Sequence, residues 1–138
     1  MDGAADNAPG RNWLAIVSSP TLAQFACAFT EAPVLEASVF ADPIIGVPGI
    51  RSFFEATRAM YDRIAFTAEH RAMSRIWLEW QGEYRGRPVD GVTILTAGAD
   101  GAIVGVRIFH MQLDQLIAFA ADLRHRLDAA DQGDIPCG

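Results

Sequence analysis

The hydrophobic positions along this chain change period several times, and each change marks an element. Leu22, Phe25, Ala26 and Phe29 fall three or four apart, the spacing of a buried helical stripe. Ser19 suits the cap of that helix, Pro20 its first position and Pro33 its end. A shorter stripe of Trp13, Ile16 and Val17 predicts an earlier helix capped by Asn12. VLEASVF (34–40) then alternates and predicts a strand. After Pro48 and Gly49, residues Ile50, Phe53, Phe54, Thr57, Met60, Tyr61 and Ile64 make the strongest amphipathic pattern in the chain.

From Ala65 the period becomes two. FTAEHRAMSRIWLEWQGEY (66–84) predicts a strand pair turning between Ala72 and Arg75, and YRGR (84–87) a hairpin turn. PVDGVTILT (88–96) is a further strand, GADG (98–101) a turn, and AIVGVRIFHM (102–111) the last strand. DQLIAFAADLRHRL (114–127) predicts a closing helix with Leu116, Ile117, Ala120, Leu123 and Leu127 inward. Helices and strands are segregated, which predicts an α+β domain rather than βαβ repeats. The expected architecture is a curved antiparallel sheet wrapped around helices, a cone whose hollow can hold a ligand. The domain is expected over 12–127, with 1–11 a flexible leader and 128–138 a flexible tail.

Charge narrows the function. The net charge is −6, with 11 basic residues, all arginine, against 17 acidic ones, and the arginines form no run. Phosphate binding needs clustered positive charge, so nucleic acid is not the expected partner. No apolar stretch approaches the roughly 20 residues of a membrane span, and a cytoplasmic protein is expected. Cys27 and Cys137 lie far apart in unlike contexts, which argues against a disulfide framework. The three histidines lack metal-ligand spacing, and no phosphate loop, dinucleotide fingerprint or nucleophile elbow is present, so no metal or cofactor is expected.

The element order, with GVPGIRSFF (46–54), LEWQGEYRGRPVDGVTIL (78–95) and GADGAIVGVRIFH (98–110), resembles the nuclear transport factor 2-like superfamily. Within it the chain is similar to the polyketide-cyclase-like and ketosteroid-isomerase-like branch. That resemblance implies the cone fold, a homodimer formed through the sheet, and a small hydrophobic molecule as ligand in the open end. Ketosteroid isomerases carry a general base in an Asp-Pro pair leading into the long helix. ADPIIG (41–46) is similar, so the resemblance makes Asp42 that base. Where those enzymes place oxyanion-hole donors, this chain has Phe25 and Phe29 on the early helix and Thr93 on a strand. Ile108 stands about where limonene epoxide hydrolases carry a last-strand aspartate, and His110 near a pocket-lining position of several members.

Strand alternation gives the residues their faces. Val104, Val106, Ile108 and His110 share one face of the last strand, expected inward because Arg107 belongs in water. Val89, Gly91, Thr93 and Leu95 face the same way on the strand before, as do Ile76, Leu78, Trp80 and Tyr84 on the one before that. The candidate catalytic pair is Asp42 and His110, meeting at the mouth as carboxylate and imidazole. Phe53, Phe54, Met60, Leu78, Trp80, Val106 and Ile108 are the expected apolar lining, with Tyr61 as a hydrogen-bond donor and Thr93 as a polar wall. Each has a plainer alternative. Asp before Pro commonly starts a turn, a strand-end His is commonly a rim residue, and Tyr61 and Trp80 equally suit packing. The pattern therefore supports acid–base isomerase or cyclase chemistry on a carbonyl compound, a non-catalytic small-molecule binder, or a protein-interaction module.

Overall fold

The computed structural model describes residues 8–134, with side chains described through 129. The elements run α1 (Arg11–Val17), α2 (Leu22–Ala26), β1 (Phe29–Ala37), β2 (Ile44–Ile45), α3 (Val47–Met60), β3 (Arg63–Ala72), β4 (Arg75–Tyr84), β5 (Arg87–Ala97), β6 (Ile103–His110) and α4 (Leu113–Asp134). The strands form one curved, unclosed sheet in the order β2-β1-β6-β5-β4-β3. The expected meander from β3 to β6 is antiparallel, whereas β1 joins β6 in parallel, which makes the sheet mixed.

Local chemistry explains the turns. β3 and β4 are joined by Met73 and Ser74, with Met73 at φ 56, so the hairpin closes without glycine. Arg85 and Gly86, at φ 53 and 76, close β4 to β5 with the paired positive φ angles of a tight hairpin. The ladder slips at three places: between Phe29 and Val34 of β1, between Phe66 and Ala68 of β3, and between Thr96 and Ala97 of β5. Such bulges bend strands and change which side chains face inward.

α3 lies on the inner face of the sheet and buries Val47, Ile50, Phe53, Thr57 and Met60 at helical spacing. α4 covers the same side. Its buried positions are Gln115, Phe119 and Leu123, and Phe119 is wholly enclosed. Gln115 donates through Nε2 to the carbonyls of Tyr84 and Arg87, which ties the helix to the β4–β5 hairpin.

Several sequence expectations are corrected. The cap of α1 is Gly10, not Asn12, and the cap of α2 is Thr21, whose hydroxyl accepts from the Gln24 N–H. Pro33 does not end a helix. It sits inside β1 at the bulge, where its missing N–H costs no ladder bond. α3 stops at Met60, so Tyr61 takes an extended backbone and Ile64 belongs to β3. Ile117 faces solvent at 60% exposure, because the inward stripe of α4 is centred on Phe119. Val104 is exposed and Ile103 buried, since Val104 is the extra residue of a bulge on β6, which reverses the alternation there. α4 runs through Asp134, and of the expected leader (1–11) and tail (128–138) residues 1–7 and 135–138 lie outside the described residues. No helix among the described residues is long and apolar enough to cross a membrane.

Candidate functional site

Three adjacent strands place Trp80, Gly91 and His110 in one inward row: Trp80 opposes Gly91, and Gly91 opposes His110. Gly91 carries no side chain, and the Trp80 indole occupies the space above it. A Cβ at this position would overlap the indole and the Phe109 carbonyl oxygen. The indole therefore reaches across β5 and meets the His110 imidazole edge-on, 5.2 Å between centroids. The next row is Leu78, Thr93 and Ile108, and the Trp80 Nε1–H donates to Thr93 Oγ1 at 3.1 Å.

The helices complete the enclosure. Tyr61 directly follows α3, and its hydroxyl lies 2.8 Å from His110 Nε2. Phe119 of α4 packs on both rings, 4.9 Å from Tyr61 and 5.1 Å from His110. Ser38 closes the other side of the imidazole. Its Oγ accepts the His110 backbone N–H at 3.0 Å and lies 3.5 Å from Nδ1.

This setting fixes protonation. His110 is only 8% exposed, and burial pulls its pKa down from 6.5 to about 4, so the ring is neutral at pH 7. Burial pushes the Tyr61 hydroxyl well above its usual value, so it stays a neutral donor. A neutral imidazole has one donor and one acceptor nitrogen. If the Tyr61 Oη–H donates to Nε2, the imidazole proton stands on Nδ1, towards Ser38.

A cavity of about 100 Å³ opens beside this pair. Phe53, Phe54, Tyr61, Trp80, Thr93, Ile108 and His110 line it. Three expected lining residues do not. Met60 and Val106 are packed in the core, and Leu78 faces a separate cavity farther along the sheet.

The expected Asp42–His110 pair does not form. After β1 the Ser38 N–H bonds the Ile108 carbonyl, and the chain then turns at Phe40, whose N–H bonds the Ala37 carbonyl. Asp42 is thereby carried out of the sheet. It is exposed and borders a shallow depression with Glu36, Phe40 and Arg107. The imidazole takes Tyr61 and Ser38 as partners in its place. His70 sits on the outer face, with Nε2 3.3 Å from the Glu79 carboxylate.

Sequence reasoning missed Ser38 and the contribution of α1. Trp13, Leu14 and Val17 of α1 line the mouth together with Arg58, which donates to the Val17 carbonyl. The α1 stripe was visible as a hydrophobic pattern, but nothing in it indicates which part of the sheet it covers. Ser38 carries no signal, because its role depends on a strand 72 residues away.

Comparison with solved structures fits this geometry. A steroid delta-isomerase from Pseudomonas aeruginosa superposes with a TM-score of 0.77 at 16% identity, covering 86% of this chain and 88% of that one. A protein with a cystatin-like fold from Silicibacter pomeroyi gives 0.78 at 11% identity, over 96% and 90%. A SnoaL-like putative isomerase from Agrobacterium tumefaciens gives 0.58 at 16% identity, over 75% and 94%. The chain has the nuclear transport factor 2-like fold. At these identities the likeness establishes the nuclear transport factor 2-like architecture and not the chemistry, which rests on the residues of the site. No family model and no curated protein matches the chain.

Proposed function

We propose that the pocket binds a small, flat, mostly apolar carbonyl compound and moves a proton beside its carbonyl, an isomerase- or cyclase-type reaction. The supporting observation is that Tyr61 Oη and His110 Nε2 stand 2.8 Å apart within an apolar wall, and the reading takes the phenol as donor and Nε2 as base. A ligand oxygen that takes the Tyr61 hydrogen bond releases the Nε2 lone pair and brings its own α-carbon near it. His110 then accepts the α-proton, Tyr61 holds the enolate oxygen, and the imidazolium returns the proton to the γ-carbon as the conjugated ketone forms. The negative charge that develops raises the basicity of the imidazole when it is needed.

Non-catalytic binding is the second reading. It is favoured by the low pKa of His110, about 4, which makes a weak base in the empty site, and by a lining that has no carboxylate among the described residues. 3-Cyclohexenone separates the two readings. Conversion to the conjugated enone, followed by absorbance, is expected in the native protein. Tyr61→Phe is expected to slow it about a hundredfold, the usual effect of losing one oxyanion donor, and His110→Gln to abolish it. Binding without conversion contradicts the catalytic reading.

We further infer a homodimer formed through the outer face of the sheet. That face carries Trp77, Val92, Ile94 and Phe109, with Arg107 over the Phe109 ring at 5.2 Å. Sedimentation is expected to show a dimer in the native protein and a monomer for Ile94→Glu. A native monomer contradicts the inference.

A further inference from the structure

A second cavity, of about 440 Å³, lies on the same inner face. The strands share their inward residues between the two spaces in sequence. β4 gives Leu78 to the larger and Trp80 to the smaller, and β5 gives Leu95 and Thr93 in the same way. On β3 the bulge after Phe66 is decisive. Phe66 faces the smaller cavity, and the slip turns Glu69 and Arg71 into the larger one. α1 is divided likewise: Ile16 borders the larger space and Leu14 and Val17 the smaller, while Trp13 borders both.

We propose that the two cavities are one binding channel partitioned by the Trp13 indole, and that its ligand is an elongated apolar carbonyl compound. This rests on the reading of Tyr61 and His110 as the site that takes the carbonyl. A cavity of about 100 Å³ is smaller than the roughly 300–1,000 Å³ of ordinary ligand sites, whereas the two together fall within that range. The partition is a side chain, not backbone. Trp13 meets Phe54 and Phe29 only edge-on, at 5.2 and 6.4 Å between centroids. Its indole N–H has no protein acceptor among the described residues, unlike that of Trp80. The helix carrying it has seven residues and no side-chain cap, and is tied at its start by the Gly10 N–H to Glu69 Oε1, 3.0 Å. Swinging the indole aside joins the spaces without breaking a ladder bond. A bound molecule then has its oxygen at Tyr61 and its chain running past position 13 over Leu78 and Leu95. The far end reaches Glu69 and Arg71, a rim that takes a polar terminus.

The test uses acetophenone and its 4-alkyl derivatives of rising chain length, with calorimetry on the full chain. Native protein is expected to bind the 4-octyl compound at least tenfold more tightly than acetophenone. Trp13→Ala is expected to widen that ratio a further several-fold. Ile16→Trp, which fills the larger cavity from the same helix, is expected to collapse it towards one, and it keeps the test decisive if Trp13→Ala folds poorly. A ratio near one in the native protein, or one indifferent to Ile16→Trp, overturns the channel. Failure of acetophenone itself to bind, with no effect of Tyr61→Phe on any member of the series, overturns instead the carbonyl site on which the channel rests.

Discussion

Replacing Gly91 by alanine is expected to lower stability by about 3 kcal/mol, the upper part of the range for overpacking a close-packed interior. The added methyl overlaps two groups of different kinds. One is the Trp80 indole, which can move only by leaving its place against His110 and giving up its bond to Thr93. The other is the Phe109 carbonyl oxygen, which belongs to the β5–β6 ladder and cannot yield without displacing the neighbouring His110. Relief of either clash disturbs the row that builds the site. Denaturant unfolding of Gly91→Ala therefore gives a lower midpoint, and tryptophan fluorescence of the folded variant shifts towards that of an indole in water. Gly86→Ala in the β4–β5 turn is the comparison. A Cβ there meets nothing within 4 Å, so that variant carries only the cost of its left-handed backbone.

The second large effect is on acid stability. The His110 pKa falls from 6.5 to about 4 on folding, so between those values the unfolded chain binds more protons than the folded one. Stability therefore drops as pH falls through this window, by about 3 kcal/mol once pH is below both values. Carboxylates with lowered pKa act further down. The Gly10 backbone N–H is the main cause holding Glu69 below the usual carboxylate value. For Asp122 burial acts upward, but hydrogen bonds from Tyr84 and Arg126 outweigh it. Their stabilisation is complete above the ordinary carboxylate pKa and is lost as pH falls through the lowered folded values, after most of the His110 titration. Urea unfolding at half-unit steps from pH 7 to 4 is expected to show the loss in native protein and a much flatter profile in His110→Leu. Parallel profiles assign the acid sensitivity elsewhere.

The contrast between legible and illegible features has a physical basis. The long helix, the hairpin turns and the inward faces of β4 and β5 follow from local periodicity, because side chains alternate along a strand whatever lies across from them. Trp80, Thr93 and Ile108 of the cavity wall follow from strand alternation and Phe53 and Phe54 from the helical stripe, whereas Tyr61 lies past the end of the helix on which its spacing placed it. Bulges were not. The slip at Thr67 puts Glu69 and Arg71 inward, and the slip near Ala97 buries Ile103 in place of Val104. Neither leaves a mark on hydrophobic spacing. The partners of His110 were equally hidden, since Ser38 and Tyr61 reach it over 72 and 49 positions of chain. Asp42 shows the limit of motif reasoning. The Asp-Pro pair is in place along the chain, but the turn after β1 carries the carboxylate to the outer surface.

The proposed chemistry depends on a buried, uncharged imidazole that offers its Nε2 lone pair to the pocket. Nitrogen-15 NMR of the His110 ring, recorded from pH 8 to 3.5 with and without acetophenone, reads this directly. The expected result is a ring protonated on Nδ1 alone at neutral pH, a titration midpoint near 4, and a change in the Nε2 resonance when the ketone binds. A midpoint near 6.5, with an Nε2 resonance indifferent to ketone, would contradict it.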